Sequence, residues 1–190
     1  MEADWEIEVG GDAPVIDALW PGFVDLRLDS KGVNELEEIR QLPRLAEVLV
    51  RLNAASSQVW TSKCDVFNPE RFDSDELDAP AESAIHAMAC YIDILPRSDQ
   101  RWPSPNLAIY TCKRICAHLL SVPLRGCRAD LVVRRALIIP VQMDLGITAY
   151  FTACGPTAAD ATSGLERALD EFADAIGLAF STATAASKLQ

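Results

Sequence analysis

The chain has no phosphate-cradling glycine loop. Neither GxxxxGKS/T nor GxGxxG occurs, so the P-loop and dinucleotide-binding readings fall away. GxSxG and HExxH are also missing, which removes the serine-hydrolase elbow and the zinc-peptidase helix. Histidine is scarce, and only His86 and His118 could supply an imidazole base. Basic residues are outnumbered: 17 Lys and Arg stand against 28 Asp and Glu, for a net charge of −11. A general nucleic-acid binder needs a basic face that displaces counterions, so no nucleic-acid partner is expected. No apolar run approaches the roughly 20 residues of a membrane-spanning helix. Residues 1–20 carry neither a cationic start nor an apolar core, so no export signal is expected. The expectation is a cytoplasmic protein with no membrane partner and with its six cysteines reduced. No CxxC spacing is present, and neither a metal site nor a cofactor is expected.

What remains is ordinary globular material, 49% hydrophobic and 24% charged over 190 residues. Residues 5–9 alternate Trp, Glu, Ile, Glu and Val, the period of a half-buried strand. Residues 23–28, 58–67, 127–139 and 146–154 also read as strands, from their aromatic and β-branched content. The last two are expected to form a hairpin through a turn at 142–145. Helices are expected from Asn34 to Asn53 with a break at Pro43, over residues 79–95, from Pro105 to Leu120, and from about Thr157 onward. Asn34 with Glu37, and Thr157 with Asp160, have the spacing of capping boxes. The order predicts an α+β fold, with an antiparallel or mixed sheet of about five strands and helices packed mainly on one face. A strand pair followed by a helix recurs, without repeated sequence. Residues 1–180 read as a single domain, and residues 181–190 as a flexible tail rich in Ala, Thr and Ser.

Charge is unevenly placed. Residues 1–40 hold eleven acids, and residues 101–135 hold seven bases against the single Asp130. The basic stretch is either balanced by acidic neighbours, the preferred reading, or forms a local anion site. Lys63, Cys64 and Asp65 interrupt an apolar strand, and Asp93 and the Arg134–Arg135 pair do the same elsewhere. Charges within strands usually mark a solvated sheet face. Turned toward a covered face, they would instead build a cross-strand ionic network.

Cys154 stands between an apolar strand and Gly155-Pro156-Thr157, at the start of a helix. A strand-to-helix turn can lower a thiol's pKa, although Pro156 removes one N–H from that turn. Cys112 and Cys116 share a helix face, with His118 just beyond, but fall short of four zinc ligands. The four tryptophans are scattered and read as core or interface anchors. The favoured function is a binding or assembly module without catalytic motifs, joining a protein partner or a second copy of itself. The alternative is a small enzyme acting on an anionic ligand through a basic pocket. Its candidate catalytic residues are Cys154 and Asp65, and its ligand-binding residues Lys63, Arg134, Arg135 and Thr157.

Overall fold

The computed structural model describes residues 1–97, 102, 105–138 and 142–181. Six strands form one mixed sheet: β1 (Glu2–Glu8), β2 (Val15–Asp17), β3 (Val59–Phe67), β4 (His86–Pro96), β5 (Cys127–Ile138) and β6 (Gln142–Gly155). The helices are α1 (Glu38–Gln41), α2 (Arg44–Asn53), α3 (Pro105–Leu120) and α4 (Ala158–Ser181), with a 3-10 turn at Ser30–Glu35. The strand order is β1-β5-β6-β4-β3, and β2 pairs with β5 farther along the same edge as β1. β1 and β2 run parallel to β5, and every other pairing is antiparallel. The α+β fold with a mixed sheet is as expected.

Alternation decides which face is dry. On β5 the residues Ala129, Leu131 and Val133 face the helices, and on β6 so do Ile147, Ala149 and Phe151. They share one core with Leu45 and Leu49 of α2, Ile115 and Leu119 of α3, and Leu165, Leu169, Phe172 and Ile176 of α4. These four residues of α4, spaced i, i+4, i+7 and i+11, therefore land on the sheet. Thr157 caps this helix: the Asp160 N–H donates to Thr157 Oγ1 at 3.1 Å, and the Thr157 hydroxyl donates to Asp160 Oδ2 at 2.6 Å. Gly155 is required at the junction, because a Cβ there would lie 2.7 Å from Asp160 Cβ.

Several elements differ from expectation. Residues 79–95 do not form a helix; β4 occupies His86–Pro96. Ile85, Met88, Ala89, Ile92 and Leu95 fit a helical stripe, but β4 is central and buried on both faces, so its apolar residues run almost without interruption. Residues 23–28 form a turn rather than a strand. The Asp25 carboxylate accepts the Arg27 N–H at 3.0 Å, and the Asp25 carbonyl accepts from Leu28 and Asp29, so local bonds replace a ladder. Residues 142–145 belong to β6, and the connection between β5 and β6 lies outside the described residues, as does the expected tail past Ser181. Asn34 caps no helix: it donates to Lys31 O at 3.0 Å inside the 3-10 turn, which Asp29 caps instead.

Candidate functional site

The face opposite the helices is divided. Its upper part is roofed by β2 and the chain that follows: Ile16, Ala18, Trp60, Leu95 and Ala136 form a second, small core, with Phe23 against it. Arg27 stacks on Trp60 at 3.8 Å, held by its ion pair to Asp25. Gly146 makes this roof possible, since a Cβ there would sit 2.6 Å from Ile16 Cδ1 and 3.0 Å from Leu95 Cδ2.

Below the roof the face is polar. The register sets Asp65, Tyr91, Tyr150, Asp130 and Asp4 side by side across β3, β4, β6, β5 and β1. The two tyrosine rings lie 5.9 Å apart. One row higher stand Asp93 and Thr148. The Thr148 hydroxyl donates to Asp93 Oδ1 at 2.6 Å. Arg134 Nε donates to Glu8 Oε2 at 2.9 Å, and its Nη1 donates to Tyr150 Oη at 2.8 Å. Asp93 is buried, only 6% exposed, and burial raises its pKa against the opposing pull of the Thr148 bond, Lys63 and Arg134. These charges form the cross-strand network, not merely a solvated face.

A cleft of about 510 Å3 opens where this face meets the β3 edge. A bulge shapes it: between the Thr61–Ile94 and Cys64–Ile92 pairs, Ser62 and Lys63 oppose the single Asp93. Such an extra residue bends a strand and re-aims its side chains. Two backbone groups of the edge are taken. The Thr61 N–H goes to Asn53 Oδ1 at 3.1 Å, and Trp20 Nε1 donates to the Ser62 carbonyl at 3.2 Å. Lys63, Cys64, Asp65 and Tyr91 line one wall, and Trp20, Leu26 and Glu35 through Glu38 line the other. Burial, with the Glu38 and Asp65 charges behind it, pushes the Cys64 thiol up to about 12. Burial likewise pushes the Tyr91 phenol to about 12.

Of the six expected site residues, Lys63 and Asp65 meet in this cleft. Arg134 lies on the polar face, while Arg135 points to the opposite side and donates to the Gly11 and Ala13 carbonyls at 3.1 and 3.4 Å. Cys154 and Thr157 stand at the far end of β6. The Cys154 thiol is buried, and burial raises its pKa, the opposite of what an activated nucleophile needs. Cys112 and Cys116 are buried within α3, and His118 Nε2 lies 3.4 Å from Glu171 Oε2. Among the described residues no three His, Cys, Asp or Glu side chains are placed to hold a metal, and no helix is long and apolar enough to cross a membrane. Sequence reasoning missed Tyr91, Thr148, Tyr150 and Glu8 as members of the face. The strict alternation of Thr148, Tyr150 and Thr152 with Ile147, Ala149, Phe151 and Ala153 is the signal that marks it. No family model, curated protein or solved structure matches the chain.

Proposed function

We propose that the protein is a binding module for a small ligand, and that the ligand enters the cleft along β3. The cleft carries this reading. Its volume of about 510 Å3 falls within the roughly 300–1,000 Å3 usual for small-molecule sites. Its walls combine apolar and aromatic surface with a few polar groups, the usual make-up of such sites. Because the Thr61 N–H and the Ser62 carbonyl are taken, a ligand is favoured over a strand added at that part of the β3 edge. Enzyme chemistry has less support: among the described residues the one thiol lining the cleft is held protonated, and no imidazole lines it. A basic pocket has less support too, since Arg134 and Arg135 lie on opposite faces.

Self-association has a separate footing. Leu137 and Met143 pair across β5 and β6, and both are exposed, as are Val15 and Ile7 nearby. Burial of the thiols suits a reducing compartment such as the cytoplasm. A fragment-library screen followed by amide NMR tests the binding reading. Hits should shift residues 61–65 and 20–26 together. Hits that cluster on another surface, or their complete absence, count against it.

A further inference from the structure

We propose that the ligand of this cleft is an organic cation, a protonated amine or quaternary ammonium carried on an apolar body. The proposal rests on the cleft being the binding site. Charge is the first argument. Glu35, Glu37, Glu38 and Asp65 surround the opening, and among the described residues Lys63 is the single cation lining the cleft. None of the four carboxylates has an ion-pair partner among the described residues. An anion entering here meets four like charges.

The second argument comes from behind the rim. Asp93 faces the bulge that carries Lys63 and is only 6% exposed. One of its oxygens accepts from Thr148, and the other has no hydrogen-bond partner among the described residues. A carboxylate carried by a residue this deeply set is costly to ionise, and a cation brought close relieves that cost. Lys63 supplies part of this relief, but its ammonium is also drawn to the Trp20 ring, 5.8 Å away.

The third argument is the lining. The Trp20 ring faces the Lys63 ammonium at cation–π distance, so this aromatic wall is of the kind that accepts a cation. Tyr91 holds its proton and stays a neutral ring. Val24, Leu26, Leu36 and Leu49 give apolar surface beneath the carboxylate rim. A small hydrated metal ion would leave that surface wet. An amine with an apolar body fills both zones.

The test uses the full chain and two probes with the same body, phenylbutylammonium and phenylbutyrate, each titrated by amide NMR. The ammonium should shift residues 61–65 saturably and bind at least about tenfold tighter than the carboxylate. The double change Glu38→Gln with Asp65→Asn should cut that preference roughly fivefold while the spectrum stays folded; both side chains lie at the rim, where charges are individually modest. Added salt should weaken the ammonium and spare the carboxylate. If phenylbutyrate binds the cleft as tightly as the ammonium, the cation assignment is overturned and the cleft reading survives. If neither probe shifts the cleft, or both act elsewhere, cleft and cation fall together.

Discussion

Phe172→Ala tests the docking of α4, on which the separation of a dry face from a polar face depends. Phe172 is fully buried, at 0% exposure, and meets Phe151 of β6 edge-on, with ring centroids 4.9 Å apart and planes at 63°. Truncation removes most of a ring from a space closed by Leu165, Leu169 and Ile176 on its own helix and by the sheet beneath. These neighbours are themselves fixed by packing, so the cavity should collapse only in part. Changes of this kind cost about 3–5 kcal/mol. Loss of the edge-to-face pair, worth about 0.5–1.5 kcal/mol beyond area, places this site toward the upper end. For a chain of this length, each kcal/mol lowers the melting temperature by about 2–4 °C, so a fall of roughly 6–20 °C is expected. The assay is paired thermal and urea unfolding followed by circular dichroism. Leu178→Ala, 54% exposed on the same helix, is the control and should stay within about 0.5 kcal/mol of the parent. A Phe172→Ala loss no larger than that of the control would refute the packing argument.

Further outcomes can be checked on the same preparations. Asp93 has a raised pKa, so the native state holds its proton above the pH at which the unfolded chain releases it; stability from this group is present at low pH and falls as pH rises through the raised value. Asp93→Asn should therefore flatten that fall and melt no lower than the parent at neutral pH; a lower melt with an unchanged pH profile would mean that attraction to Arg134 and Lys63 outweighs burial. Brief alkylation of native protein should leave Cys154 unmodified and reach Cys64 first, since Cys64 alone among the cysteines is not fully buried, and all six should react after denaturation. Preferential labelling of Cys154 in the folded protein would restore it as a nucleophile. Gly146→Ala should cost about 1–3 kcal/mol by pushing Ile16 and Leu95 apart, with part recovered by Ile16→Val; urea midpoints that do not move would show that the roof is loosely seated.

The elements that could be read from sequence are those with one wet side. β6 and α4 alternate or stripe cleanly because water touches one flank of each, and their hydrophobic period is forced. β4 was illegible for the opposite reason. With Cys90, Ile92 and Ile94 on one face and Ala89 and Leu95 on the other, apolar residues satisfy both a helical and a strand template. The cleft was illegible in a different way. Residues 20–26, 35–38 and 61–65 meet there only because the chain after β2 turns back over the β3 edge, and a bulge aims Lys63. Lys63 and Asp65 could be singled out as charges in an apolar strand, but no periodicity announces a cavity built from three distant segments.

The bare polar face follows from the topology. The chain runs β3, β4, α3 and then β5, β6, α4, with β4 and β6 adjacent and antiparallel at the centre. Each hairpin is followed by a helix, and both helices bury their apolar residues against the same side of the sheet. Two such units side by side leave the other side with no helix of its own. The register then places Asp65 and Tyr91 of the first unit in one row with Tyr150 and Asp130 of the second. A sheet face left open in this way must be solvated, roofed or used. Residues 16–23 roof the part where Ile16 meets Ala136 and Leu95. Arg134 and Glu8 satisfy each other beside it. Among the described residues Lys63, Asp65 and Asp93 have no ion-pair partner, and they lie together beside the cleft. Charge without an ion pair and concave apolar surface therefore coincide beside β3, and that coincidence is the ground on which the proposed ligand rests.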